Sequence, residues 1–306
     1  MNTGVVWSKQ EEQAVIKAYK QSRVTPHEFA LEYSLSNKGG RTQNAVYCHL
    51  SDMERRGLVE LNEYGGGDAR ILFLDIETQF PIAYVSGAYT QFVNPDDIIK
   101  DFCVICWSAN WLGSDSFMCN CVTPKEAIAR KDKRILGGIY KLLDTADIVI
   151  GQNVKKFDIR KLNTRFILSG IDQPPSPYKV VDTLLELRKT FGFTSNKQGF
   201  IGDALGNDGK DEMHKEDWRK CDQGDPEALD KMQKYNIQDV MTLKQNYLSI
   251  RSWIPSHPNV TMYRDKHDGC FACGGELHED KYYPTNKRSR TAMRCADCGA
   301  ITIPKL

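Results

Sequence analysis

Ile71-Leu72-Phe73-Leu74-Asp75-Ile76-Glu77-Thr78 is the stretch that decides the fold. Four apolar residues run into two acids separated by one isoleucine, which is the pattern of a buried strand ending in charge. Side chains alternate along an extended chain, so Asp75 and Glu77 share one face while Ile76 points to the other. Two anions held a few Å apart in a partly desolvated place repel each other unless one takes a proton or a divalent cation neutralises both. Hard carboxylate oxygens suit Mg²⁺ or Mn²⁺. Taken alone, an Asp-x-Glu at a strand end fits a solvated terminus equally well, and residues further along the chain must decide between the two.

The 306 residues suggest two or three domains, with 41% hydrophobic and 26% charged residues as in an ordinary globular protein. A net charge of +1 announces no nucleic-acid partner, so any basic surface must be local. No apolar run is long enough for a membrane span and Met1-Asn2-Thr3-Gly4 does not open a signal peptide, so a cytoplasmic protein is expected. In such a compartment the 10 cysteines read as metal ligands or small core residues rather than disulfides.

Residues 1–64 read as a small helical module. Ser8-Lys9-Gln10-Glu11 is a capping box followed by Ala14, Val15, Ala18 and Tyr19 at helical spacing, and Thr25-Pro26-His27-Glu28 repeats the signal before Phe29, Ala30 and Tyr33. A third helix starts near Arg41-Thr42, turns Ala45, Val46, Leu50 and Met53 inward and stops at Gly57. Three helices with a glycine break before the last form the layout of a helix-turn-helix unit, with Gln43, Asn44 and Tyr47 toward the bases. The segment from Gly40 to Val46 resembles Myb-like domains, and that from Leu50 to Val59 resembles the end of a winged-helix recognition helix. A protein-interaction module is the alternative, because acids and bases balance here. Tyr64-Gly65-Gly66-Gly67-Asp68 then reads as a hinge.

Residues 69–255 alternate strand-like and helix-like runs, which implies an α/β domain. Ala83 to Ala88 and Phe102 to Trp107 are expected as strands beside the first. Pro124 to Leu143 is helical, Ala146 to Gly151 is a buried strand, and Val180 to Lys189 is a strand running into a helix. Asp225-Pro226-Glu227 opens a long helix that places Tyr235 and Asp239 on one face. Cys103-x-x-Cys106 and Cys119-x-Cys121 read as core cysteines, since residues three apart on a strand face opposite ways.

Asp75-x-Glu77, Asn153-x-x-x-Phe157-Asp158 and Tyr235-x-x-x-Asp239 succeed one another at intervals of about eighty residues. In that order they resemble the three motifs of the DEDD superfamily of 3′-to-5′ exonucleases, in its tyrosine subclass. The proofreading domain of family B DNA polymerases is similar, and Ser195-Asn196-Lys197 echoes its later Ser-x-Lys segment. Residues 70–255 also resemble phage and prophage ribonuclease H-like proteins. The resemblance implies a mixed sheet flanked by helices. It implies two Mg²⁺ or Mn²⁺ ions on Asp75, Glu77, Asp158 and Asp239, with Tyr235 orienting the attacking water. Asn153, Phe157 and Lys197 would then lie along the nucleic acid, and Arg160, Lys161 and Arg165 are phosphate contacts or a solvated helix face. The chain departs from the polymerase pattern after Asp158, where Ile159-Arg160-Lys161-Leu162 replaces a more apolar continuation.

Cys270-x-x-Cys273 and Cys295-x-x-Cys298, with 21 residues between the pairs, supply four thiolates for one structural Zn²⁺ in a ribbon over residues 262–306. Lys287, Arg288 and Arg290 near Tyr282 and Tyr283 either grip a nucleic-acid backbone or form a solvated hairpin tip. The expected whole is a helix-turn-helix module, a ribonuclease H-like exonuclease and a zinc ribbon. Its partner is DNA, with RNA possible, and replication or recombination proteins are candidate protein partners. A structure-specific endonuclease, a ribonuclease and a silent DNA-binding adaptor are the competing readings.

Overall fold

The computed structural model describes residues 7–21, 26–36, 40–42, 45–46, 49–50, 52–53, 56–59, 68–87, 89, 92–207, 213–264, 267–284 and 289–303. At the N-terminal end, helix α1 (Lys9–Gln21) is opened by the expected capping box. Glu11 N–H donates to Ser8 Oγ at 3.2 Å and Ser8 N–H to Glu11 Oε2 at 2.9 Å. Helix α2 is Pro26–Leu35. Residues 45–46, 49–50 and 52–53 are helical, and Val46, Leu50 and Met53 join Val15, Tyr19, Phe29 and Ala30 in a small core. Trp7 stacks on His49 with ring centroids 4.1 Å apart and lies under the Arg41 guanidinium, which pairs with Glu11 at 2.7 Å. Gln43, Asn44 and Tyr47 lie outside the described residues, as do Thr25 and the three glycines of the expected hinge.

The central unit is a five-stranded mixed sheet in the order β5-β4-β1-β6-β7. Its strands are β1 (Ile71–Thr78), β4 (Val104–Trp111), β5 (Phe117–Cys121), β6 (Ile148–Gly151) and β7 (Lys179–Asp182). β1 runs antiparallel to β4 and parallel to β6. The helices are α3 (Pro124–Ala129), α4 (Lys133–Thr145), α5 (Asp158–Leu168), α6 (Thr183–Thr190), α7 (Gln198–Leu205), α8 (Lys215–Asp222) and α9 (Pro226–Ile250). Leu72, Leu74 and Ile76 pack with Trp107 against α4 and α5, while Ile71 and Phe73 pack against Val240, Leu243 and Tyr247 of α9. Both faces of β1 are therefore covered, which is why its apolar run is continuous.

The strand expected over 83–88 does not join this sheet. Among the described residues of that stretch only Ile82–Ala83 (β2) forms a strand, and it pairs with Ile98–Lys100 (β3) in a separate two-stranded ribbon. Phe80, Tyr84, Val85, Tyr89 and Phe92 are exposed there, so an apolar run that reads as core forms an outlying hairpin. The reading of Cys103 and Cys106 holds. Cys103 S–H donates to Gln79 Oε1 at 2.6 Å, while Cys106 is buried on the other side against α9, facing Met232 O.

α2 is packed onto the central unit. Leu31 belongs to the main core, and Leu35 lies over Gly138 of α4, where an added Cβ would come within 3.1 Å of it and 2.9 Å of the Trp107 ring. At the other end, β8 (Leu277–Pro284), β9 (Ser289–Cys295) and β10 (Ile301–Thr302) form the ribbon sheet in the order β10-β9-β8. The ribbon is joined to α9. Tyr247 Oη and His257 Nε2 lie 2.7 Å apart, His257 meets the Phe271 ring edge-on, and Val260 N–H donates to Phe271 O at 2.8 Å. Among the described residues no helix is long and apolar enough to cross a membrane.

Candidate functional site

The register explains where the acids sit. β6 pairs with β1 only from Ile71 to Phe73, so Asp75 and Glu77 extend past the end of their parallel neighbour. A sheet that opens at the carboxyl ends of its strands leaves a crevice. On the other side β4 continues, pairing Asp75 with Ser108 and Glu77 with Cys106. The buried face of α9 crosses over this region and supplies Asp239. Carboxylate oxygens of Asp75, Glu77 and Asp239 all lie within 4.8 Å of one another, a group that could hold a metal ion.

Asp158 is close by but outside that group of three. It opens α5, is 2% exposed, and its Oδ1 accepts the Ile76 N–H at 3.0 Å, where β6 no longer runs beside β1. Burial raises its pKa to about 7, the Asp182 anion adds to the rise, and the Ile76 N–H and Lys161 oppose it. A cation in the neighbouring cluster would favour its ionised form.

The loop that delivers Asp158 is held by a residue that carried no motif in the sequence. Asp182 Oδ1 accepts from Asn153 N at 3.0 Å and from Leu184 N at 3.2 Å, and its Oδ2 accepts from Lys155 N at 3.1 Å. One buried carboxylate thus caps α6 and fixes the turn after β6. Asn153 occupies that turn with φ 61, a left-handed conformation that asparagine tolerates, and its carbonyl accepts from Phe157 N. Gly151 precedes it where a Cβ would meet Val154 Cβ at 2.6 Å.

Phe157 is 36% exposed beside Lys161, whose Nζ lies 4.9 Å from its ring centroid, 4.0 Å from that of Phe102 and 3.2 Å from Thr78 Oγ1. Arg160 is exposed, whereas Arg165 is committed to Asp132. Tyr235 is half-buried one helical turn before Asp239, with its ring 6.2 Å from that of Trp218. Lys197 precedes α7 and lines an open cleft of about 640 Å³ with Gln152, Arg188, Asn196 and Gln198. Gln198 links the cleft to the acids, since its Nε2 donates to Asp239 O at 2.8 Å.

Sequence reasoning missed three further residues beside the acids. Asn236 is fully buried on α9 and donates from Nδ2 to Asp75 Oδ2 at 2.6 Å. Its Oδ1 and the buried Ser108 Oγ have no hydrogen-bond partner among the described residues. Gln198 is the third. Nothing in their spacing marks them, because they act only once α7, α9, β1 and β4 are packed together.

The second cluster is sulfur. Cys270, Cys273, Cys295 and Cys298 bring their Sγ atoms within 4.8 Å of one another, with Cys270 to Cys298 at 3.6 Å and Cys273 to Cys295 at 3.5 Å. Gly274 (φ 77) and Gly299 (φ 76) turn the chain after each pair. Arg290 lies on β9 opposite Tyr283, while Lys287 and Arg288 lie outside the described residues.

No family model matches this chain, and no curated protein matches it. Among solved structures it is similar to the family B DNA polymerase of the hyperthermophilic archaeon Pyrobaculum calidifontis. The identity is 17% and the TM-score 0.43, over 64% of this chain and 28% of the polymerase. A likeness at that level, to little more than a quarter of a larger protein, assigns no activity.

Proposed function

We propose that this chain is a divalent-metal-dependent nuclease that removes nucleotides from the 3′ end of DNA, with a ribonuclease H-like centre of the tyrosine-bearing DEDD type. The observation that carries this reading is the convergence of Asp75, Glu77 and Asp239 within 4.8 Å, from a strand and a helix more than 160 residues apart. The residues fit a hydrated divalent ion. The donors are hard oxygens, and the partnerless Asn236 Oδ1 and Ser108 Oγ beside them are the kind of buried polar atoms that bound water satisfies.

Asp75, Glu77 and Asp239 would hold Mg²⁺ or Mn²⁺, with Asp158 as the fourth acid of a two-ion site. Bound ions of this kind supply an activated water and stabilise charge on the leaving oxygen. Tyr235 would orient the attacking water through its hydroxyl, and Phe157 and Lys161 would border the terminal nucleotide. Lys197 and Arg188 in the adjoining cleft would meet the phosphates of the strand. The four cysteines would hold one structural Zn²⁺, with no position left open for catalysis. The N-terminal helices and the ribbon, with Arg290, would hold DNA on either side, as in a phage-type replication or recombination nuclease.

The test is digestion of 5′-labelled single- and double-stranded DNA and RNA with Mg²⁺ or Mn²⁺, comparing the natural protein with Asp75→Ala and Tyr235→Phe. A 3′-to-5′ ladder that vanishes in Asp75→Ala is expected. Discrete internal fragments would make the protein an endonuclease, and the absence of products on every substrate would leave it a DNA-binding adaptor.

A further inference from the structure

The buried face of α9 runs through Met232, Asn236, Asp239, Leu243 and Tyr247, and Asn236 is a polar residue in its middle with no exposure at all. Its amide is not free to take either orientation. With Asp75 Oδ2 only 2.6 Å away, the group facing it must be the donor, because an amide oxygen there would lie against an anion. The other end of the amide, Oδ1, is then an acceptor without a partner among the described residues, and Ser108, paired with Asp75 across β1 and β4, carries a second such oxygen.

We propose that Asn236 is a positioning residue for metal. It fixes the rotation of the Asp75 carboxylate so that the remaining lone pairs face Glu77 and Asp239, and it does so without cancelling the charge. An arginine or lysine at this place would also hold Asp75, but its positive charge would compete with the ion. An aspartate would put a second anion against the first. A neutral donor is the choice that orients a ligand and leaves the group's full negative charge for the cation. The partnerless Oδ1 fits the same role, since it can accept from a water molecule of the ion's hydration shell.

This inference rests on the acid cluster being a divalent metal site, and the experiment separates the two claims. Mn²⁺ binding is titrated on the full zinc-loaded chain by the electron paramagnetic resonance of free Mn²⁺, with thermal melting measured in parallel. Groups that orient metal ligands typically account for 10- to 100-fold in affinity. Asn236→Ala is expected to weaken Mn²⁺ binding by about that factor. Asn236→Leu keeps the branched shape and fills the same buried volume, so it guards against simple loss of fold. It is expected to show the same loss of affinity with a melting temperature at or above that of the natural protein. If Asn236 were only packing, melting would shift while Mn²⁺ affinity stayed within about threefold, and that result in Asn236→Leu overturns the proposal. If Asp75→Ala binds Mn²⁺ as well as the natural protein, the metal site itself fails and the role of Asn236 falls with it.

Discussion

Arg160, Lys161 and Arg165 look alike in the sequence, three cations on the helix that begins at Asp158, yet each has a different fate. Arg165 makes two hydrogen bonds of 2.7 Å to the two oxygens of Asp132, which is 1% exposed and also accepts the Val104 N–H at 2.9 Å. That carboxylate ties the start of β4 to α5. Arg165→Ala would leave it buried and uncompensated, a loss of about 3–5 kcal/mol. Urea denaturation should show a large drop in midpoint for Arg165→Ala, and a change within about 0.5 kcal/mol for exposed Arg160→Ala. If Arg165 served DNA instead, its removal would lower affinity and leave the urea midpoint in place. Charge type and spacing cannot distinguish these roles, because the partner lies 33 residues away and is fixed by packing.

At the scale of elements, the packing of α2 onto the sheet domain depends on one glycine and one acid. Gly138→Ala gains about 1 kcal/mol of helix propensity, but its Cβ would press on the Trp107 ring, whose indole is already held by Ile135 O at 2.7 Å. A net destabilisation of about 1–3 kcal/mol is expected, read by thermal or chemical unfolding. Glu32 lies on α2 beside Trp111, and burial lifts its pKa from 4.5 to about 8. The folded protein therefore holds this proton more tightly than the unfolded chain. The associated stability is complete below about pH 4.5 and is lost as pH rises through about 8. Melting temperature against pH should fall more steeply for the natural protein than for Glu32→Gln between those limits, with the variant the more stable of the two above pH 8. A parallel course for both would mean that Glu32 is solvated.

The whole molecule joins two clusters that could each hold a metal ion, one of carboxylates and one of thiols, through one helix. Among the described residues the ribbon's own buried core is Cys270, Ala272, Cys295 and Ala300, half of it the candidate ligands of the proposed zinc, so it would have little to hold it without metal. Chelation is expected to abolish amide-exchange protection along β8 and β9, while β1 and β4 keep theirs. Retained protection in β8 and β9 would show that packing alone suffices. The cysteine spacing marked the four thiols that cluster in this ribbon, and the shared face of Asp75 and Glu77 was legible through alternation. Asp239 was singled out by the resemblance to the exonuclease motifs, the helical repeat placing it only on one face with Tyr235. The pairing of β2 with β3 away from the main sheet was not legible, since an apolar run has the same pattern whether or not a sheet covers it. Nor was Asp182, whose two oxygens organise the turn before Asp158 through backbone groups that any sequence would offer.

α9 has 25 residues and is about 37 Å long, capped at one end by Asp225 and tied at the other to the ribbon through Tyr247 and His257. Between those ends it must present Asn236 and Asp239 to β1. Each residue of a helix advances the azimuth by about 100°. A single insertion between Asp239 and Tyr247 would therefore turn one end away from its partners whichever end stayed docked. Substitutions on its solvent side leave this phase unchanged, so lineages of this protein can vary the letters of α9 freely there while its length stays constant.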